Sequence, residues 1–249
     1  MKISVHRSQA PWQVDERLRA SLQAQVVPSR LLYDSHAQAG RWLTYHEAWS
    51  PARTDEAVKG IYTSLARTVS ERAPRRLVSL GAGGGQKDAS IAPILGTTSY
   101  VPVETSFALG LHSARAVGLP STEPVLLDLE SAWSRDDFAL EPTCFAAFGL
   151  LPNFPVESFC ASLGAMLGED DLLLISANLS PSAEPRADIV AQYDNPESRA
   201  WLEGAARELG LDRFTLELTT RSEPWGWSID GWARLTAPQR VRLPFFDAD

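Results

Sequence analysis

The feature that most constrains this chain is a glycine-rich turn, Gly81-Ala82-Gly83-Gly84-Gly85. The run before it, Arg76-Leu77-Val78-Ser79-Leu80, reads as a buried strand. A second such run, Ser99-Tyr100-Val101-Pro102-Val103, ends at Glu104. Glycines let the backbone approach a ligand where any Cβ would clash. A carboxylate roughly 20 positions beyond such a turn can accept hydrogen bonds from both hydroxyls of a ribose. Turn and acid together describe a site for a nucleotide-like cofactor.

The rest of the chain alternates. Strand-like runs occur at 76–80, 99–103, 124–128, 143–148 and 171–177, and helix-like runs near 86–94, 106–117, 155–167 and 186–209. That order implies an α/β fold whose mostly parallel sheet is covered on both faces. Ahead of it, residues 13–25 read as a helix with Val14, Leu18 and Leu22 on one face, interrupted at Pro28. Leu31 to Pro51 is dense in Tyr, Trp and His and follows no single period. A second helix is expected from about Thr54 to Ala73, with Thr54 as its N-cap, Asp55 and Glu56 in the first turn and Pro74 as its stop. At the far end, Phe214 to Thr220 alternates, Glu223-Pro224-Trp225-Gly226 turns, and Trp227 to Leu235 alternates again, which reads as an antiparallel hairpin. Residues 1–73 are therefore expected as an N-terminal helical layer or lid, and 74–249 as the cofactor-binding domain, packed as one unit.

Charge and composition narrow the partners. A net charge of −8 over 249 residues argues against a nucleic-acid surface and for a small-molecule substrate. No apolar run is long enough to cross a bilayer, and Met1 to Arg7 has no apolar core of a signal peptide, so a cytoplasmic protein with no membrane partner is expected. Cys144 and Cys160 lie in apolar segments and read as small reduced core residues. His6, His36, His46 and His112 form no ligand spacing, so no metal site follows. Asp136-Asp137 reads as a helix start or a solvated turn. The chain is expected as a monomer or a homodimer.

Two cofactor classes use such a turn. A dinucleotide dehydrogenase carries a third glycine in its fingerprint, where this chain has Gln86. The parallel strands closed by a terminal hairpin instead look like the seven-stranded sheet of Rossmann-like class I methyltransferases, which take S-adenosylmethionine. An oxidoreductase using NAD is the lesser reading.

Several landmarks occur in a set order: Leu32-Tyr33-Asp34, then Ser50-Pro51-Ala52-Arg53; Ser79-Leu80-Gly81-Ala82-Gly83, with Lys87 soon after; Tyr100-Val101-Pro102-Val103-Glu104-Thr105-Ser106; Leu127-Asp128; Gly149-Leu150-Leu151-Pro152-Asn153-Phe154; and Gln192-Tyr193-Asp194. In these the chain resembles the histidine-specific methyltransferase family, which makes the trimethylated histidine of ergothioneine biosynthesis. It departs from that family at Ser79, where members have an acid, and at Trp49, where many have tyrosine. Glu223-Pro224-Trp225-Gly226-Trp227-Ser228 stands near the place of the family's imidazole-gripping loop with different chemistry.

The resemblance implies roles. Gly81, Ala82 and Gly83 would pass under the methionine part of S-adenosylmethionine, Lys87 would lie near its carboxylate, and Glu104 would take the ribose. Asp128 would accept from the adenine amino group, against a plain capping role, and Leu129 would pack on the ring. Asn153 and Tyr33 are the candidate catalytic residues. Tyr45, Trp49, Asn153, Tyr193, Trp225 and Trp227 are the candidate acceptor contacts, and Trp42 stands with Tyr33, Tyr45 and Trp49 as part of a lid, with packing the competing account. The implied activity is N-methylation of a small amine or amino-acid-like metabolite. A cofactor-binding protein without catalysis, acting as regulator or partner, is the alternative.

Overall fold

The computed structural model describes residues 2–138, 142–177, 187–223 and 226–241. In chain order its elements are β1 (Ser4–Val5), α1 (Pro11–Gln23), α2 (His36–Trp49), α3 (Pro51–Thr54), α4 (Glu56–Val69), β2 (Arg76–Leu80), α5 (Gln86–Leu95), β3 (Ser99–Glu104), α6 (Phe107–Val117), β4 (Ser121–Thr122), β5 (Val125–Leu126), β6 (Thr143–Phe148), α7 (Val156–Met166), β7 (Leu172–Ser176), α8 (Ala187–Ala191), α9 (Pro196–Glu208), β8 (Phe214–Glu223) and β9 (Gly226–Leu235). They group into two units, one of Met1–Asp15 with Asp55–Asn178, the other of Glu16–Thr54 with Leu179–Asp249.

The first unit holds a seven-stranded sheet in the order β1-β5-β3-β2-β6-β7, with β4 also beside β3. Every pairing in it is parallel. The chain order reverses between β2 and β6, and such a switch point opens a crevice at the carboxyl ends of the strands. Strand parity sorts the side chains. Val78 and Leu80 of β2, Val101 and Val103 of β3, and Phe145 and Ala147 of β6 pack with Phe159, Leu163 and Met166 of α7. Their neighbours Leu77, Ser79, Tyr100, Cys144 and Ala146 are buried too. A parallel sheet covered on both faces needs such near-continuous apolar strands. Each fully buried large apolar side chain contributes about 1.5–3 kcal/mol.

The expected mostly parallel sheet of seven strands and the terminal hairpin are both present, but the hairpin is not part of the sheet that it is expected to close. Seven is reached through the two-residue strands β1 and β4, too short to carry a period in the sequence. β8 and β9 form an antiparallel sheet of their own, from Phe214↔Leu235 to Glu223↔Gly226.

Helix boundaries differ from expectation in instructive ways. Thr54 ends α3, and the N-cap of α4 is Asp55, whose carboxylate accepts from the Ala57 N–H at 2.8 Å. Residues expected as one helix over 186–209 form α8 and α9, because Asn195 caps Ser198 N–H at 2.8 Å and Pro196 takes the first helical position. The aromatic stretch without a clean period folds as α2, capped by Ser35. Cys144 is buried as expected, but Cys160 is exposed, on the outer side of α7.

Within the second unit α2 packs against α9. The Gln38 amide, fully buried, donates to the Trp201 carbonyl at 3.0 Å, and the Trp201 indole donates to the Leu32 carbonyl at 2.6 Å. The Arg199 guanidinium donates to the Leu216 carbonyl at 3.1 Å and ties α9 to β8.

Candidate functional site

The glycine turn is wound around the end of β3. Gly81, Gly83 and Gly85 all have positive φ, at 60°, 60° and 72°. The N–H groups of Gly81 and Ala82 both donate to the Val103 carbonyl, at 2.9 and 3.3 Å. The next donor, Gly83 N–H, reaches the Glu104 carboxylate itself. From α6, the Ser113 hydroxyl donates to the Gly83 carbonyl at 2.7 Å. Glycine is required most strictly at Gly85, where a Cβ would lie 2.6 Å from the Ser113 Cα. The turn and the acid are thus one structure, joined by a direct hydrogen bond at the tips of two adjacent strands.

Glu104 is no solvated strand end. It is 8% exposed, and burial pushes its carboxyl up to about 7, against the pull of the Gly83 and Thr105 N–H groups. The charge of Asp88 pushes it further the same way. Asp88 was not singled out by the sequence. It sits on the first turn of α5, 1% exposed, with its carboxyl raised to about 6 by burial against hydrogen bonds from the Tyr100 and Ser79 hydroxyls. The Tyr100 contact is 2.6 Å. Ser79, the position where the resemblance calls for an acid, therefore meets a carboxyl delivered from α5. Two buried carboxyls stand at this end of β3, and a carboxylate that ionises at the cost of desolvation rewards any ligand that brings hydroxyl donors to it.

Lys87 lies at the switch point. Its ammonium stands 3.4 Å from the Phe148 carbonyl at the end of β6 and 5.4 Å from the centroid of the Tyr62 ring on α4. Tyr62 is buried and edge-on to the Phe148 ring, with centroids 5.0 Å apart. The segment after β6 closes in from the same side, since a Cβ on Gly81 would meet Leu150 Cδ1 at 2.7 Å. Asn153 ends the short helical turn Leu151–Asn153 of that segment and is exposed. Asp128 follows β5, and its carboxylate accepts from the Glu130 N–H at 2.9 Å within a turn, where no helix begins for it to cap. Leu129 packs on the core cluster.

Of the remaining candidates, Tyr33, Tyr45, Trp49 and Tyr193 belong to the second unit, and packing there engages their side chains. Tyr33 lies edge-on to Trp42 at 5.9 Å and 5.7 Å from Trp201. Tyr45 is buried and stacks on Trp201 at 5.5 Å, with Tyr193 6.4 Å away on its other contact. Burial, then the neighbouring Tyr193 and Tyr33, push the Tyr45 phenol well above its ordinary value. The Trp49 indole donates to Glu197 at 3.0 Å, and Trp49 and Tyr193 keep ring surface in solvent. Trp225 lies outside the described residues, and so does the side chain of Trp227, whose backbone belongs to β9.

Comparison with known proteins gives likenesses of fold. No family model matches the chain, and no curated protein matches it. Solved structures do. The plantazolicin methyltransferase BpumL in complex with SAH aligns over 84% of this chain and 83% of its own, with TM-score 0.48 and 11% identity. A putative methyltransferase from Bacillus halodurans covers 65% of this chain and 72% of its own, with TM-score 0.42 and 20% identity. The O-methyltransferase TomG from Streptomyces achromogenes, in complex with SAM, covers 89% and 96%, with TM-score 0.40 and 14% identity. None of these comparisons supports the histidine-specific family. Among the described residues no helix is long and apolar enough to cross a membrane.

Proposed function

We propose that the protein is an S-adenosylmethionine-dependent methyltransferase acting on a small amine or amino-acid-like acceptor. The observation that carries this reading is the joined pair of Glu104 and the Gly81–Gly85 turn beside the switch point. A buried carboxylate raised to about 7 fits a vicinal diol, whose two hydroxyls would replace water as its donors. Gly81, Ala82 and Gly83 would let the cofactor chain lie against backbone. Lys87 would face its carboxylate, and Asp128 and Leu129 its base. When bound, the cofactor supplies an electrophilic methyl on a sulfonium.

The protein's part is to hold a neutral nucleophile in line and to exclude water. No covalent intermediate on the chain is needed. A protonated amine has no lone pair, so the acceptor must bind as the neutral amine with its proton given up to solvent, and an amide oxygen that accepts a remaining N–H would then aim the lone pair at the methyl. Asn153, exposed after β6, supplies an amide oxygen for that purpose. On sequence alone, Tyr33 is proposed for the proton and Tyr45, Trp49, Tyr193, Trp225 and Trp227 for acceptor contact. Aromatic faces favour a methylated ammonium by about 0.5–2 kcal/mol each.

The test is a labelled-methyl transfer assay on a panel of amines that includes histidine, run beside calorimetry with S-adenosylhomocysteine and NADH. Transfer to nitrogen with S-adenosylhomocysteine binding supports the reading. Binding without transfer to any panel member assigns a non-catalytic cofactor protein, and preference for NADH removes the reading altogether.

A further inference from the structure

The resemblance points to Lys87 but is silent on what holds it. The structure supplies the answer from a different element. Lys87 projects from the first turn of α5, and a lysine there has a four-carbon stem free to swing into solvent. Here the ammonium is fixed instead between two groups at the carboxyl end of β6. The Phe148 carbonyl takes one N–H at 3.4 Å, and the Tyr62 ring lies beneath the charge at 5.4 Å. Both distances place the ammonium beside exposed Gly149, where an added Cβ would come within 3.5 Å of Nζ. Tyr62 is itself fixed. It is 7% exposed on the inner face of α4, one turn before buried Ala66, and its edge contact with the Phe148 ring sets its plane.

The location matters as much as the contact. Phe148 ends β6 with Gly149 directly after it, and Gly81 follows β2, the two strands between which the sheet order reverses. A lysine held there puts a point charge in the crevice where open α/β sheets take their ligands. An anionic group is the chemistry that such a charge would recruit, and the terminal carboxylate of an amino acid is such an anion.

We propose that Tyr62 is a positioning residue whose ring, with the Phe148 carbonyl, holds the Lys87 ammonium at the β2–β6 switch point as a seat for the carboxylate of the cofactor's amino-acid tail. The inference rests on the methyltransferase reading above and adds to it a residue from α4. Tyr62 acts through Lys87 and touches no reacting atom.

The experiment compares two ligands, S-adenosylhomocysteine and methylthioadenosine, which share the thio-adenosine part while only the first carries the amino-acid tail. Both are titrated calorimetrically into wild-type protein, Lys87→Met, Tyr62→Leu and Tyr62→Phe. Lys87→Met and Tyr62→Leu are each expected to lose about fivefold to tenfold in S-adenosylhomocysteine affinity, the scale of a cation–π contact or a charge-assisted bond. Methylthioadenosine affinity stays unchanged in both, which also reports that the fold is intact. Tyr62→Phe keeps the ring and the affinity. Should Tyr62→Leu not fold, phenylalanine analogues with increasing fluorination at position 62 keep the shape while draining the ring face, and S-adenosylhomocysteine affinity should fall in step with fluorine count. Equal loss of both ligands in Tyr62→Leu, no loss of either, or no trend with fluorination overturns the role of Tyr62 and leaves the cofactor reading standing. Wild-type protein that binds neither ligand overturns both together.

Discussion

Cofactor affinity should depend on pH through Glu104. Its carboxyl is raised from 4.5 to about 7, with burial as the largest cause. A ribose diol donates hydrogen bonds, so the ligand binds the ionised form and must displace a proton wherever Glu104 holds one. The apparent dissociation constant then scales as one plus ten to the power of pKa minus pH. That factor is about 1.1 at pH 8 and about 11 at pH 6, a loss of about 1.4 kcal/mol in binding over the interval. Stability moves the other way. A carboxyl whose folded value exceeds its unfolded one contributes stability fully present below about 4.5 and lost as pH rises through about 7. At about 1.36 kcal/mol per unit, ionising Glu104 in the unliganded fold costs on the order of 3 kcal/mol. The ligand should therefore raise the melting temperature more at pH 8 than at pH 6. Calorimetry with S-adenosylhomocysteine, in two buffers of different ionisation enthalpy, measures affinity and proton release together. Asp88, raised to about 6, adds its own slope near the lower limit. Glu104→Gln separates the two, since it removes only the Glu104 share and should weaken binding at pH 8 about tenfold or more. Affinity that is flat from pH 6 to 8 in the wild type, or a slope that survives intact in Glu104→Gln, would refute the assignment of the ribose to this carboxylate.

Two further outcomes follow from the same region. Tyr100→Phe removes the hydroxyl that donates to buried Asp88 at 2.6 Å, and should cost about 1–3 kcal/mol in urea unfolding at pH 8 but less at pH 5, where Asp88 is protonated in the folded state. Gly85→Ala should prevent folding or leave a protein with a grossly lowered melting temperature, because a Cβ there lies 2.6 Å from the Ser113 backbone; Gly96→Ala, with φ of 68° but nothing within 4 Å, should cost only about 1–2 kcal/mol by the same measurement.

Those residues show which parts of the molecule its sequence makes legible. The strands β2, β3 and β6 declare themselves because a parallel sheet buried on both faces needs unbroken apolar runs. The turn is legible because positive φ at Gly81, Gly83 and Gly85 admits few other residues. The start of α9 was equally open to reading, as Asn195-Pro196 is a cap followed by a first-turn proline, yet a long run of helix formers masked it. The aromatics of α2 stand at a helical spacing, Trp42, Tyr45, His46 and Trp49 at i, i+3, i+4 and i+7, but Tyr33 ahead of the helix blurs that period over the whole stretch. Cys160 reads as a core residue because its segment is apolar on average, but the helix turns that position outward.

The electrostatics of the site could not have been read residue by residue, since they depend on parity and register. Val101 and Val103 face α7, so the alternate positions of β3 carry Tyr100 and Glu104 to the opposite side of the sheet. Ser79 of β2 pairs with Pro102, which places its hydroxyl between those two. Asp88 enters the same layer only because α5 begins directly after the turn and its first turn faces inward. Each of these residues is ordinary alone: a strand serine, a strand tyrosine, a helix-start aspartate and a strand-end glutamate. In that layer burial raises both carboxyls and the charge of Asp88 raises Glu104 further, and the hydroxyls of Tyr100 and Ser79 satisfy Asp88 while Glu104 is bonded to backbone N–H groups of Gly83 and Thr105. That asymmetry divides their tasks. Asp88 is committed to side chains of the fold, whereas Glu104 takes its protein donors from the main chain at the crevice, so under the proposed reading an incoming diol would meet the carboxyl that the core has left for it.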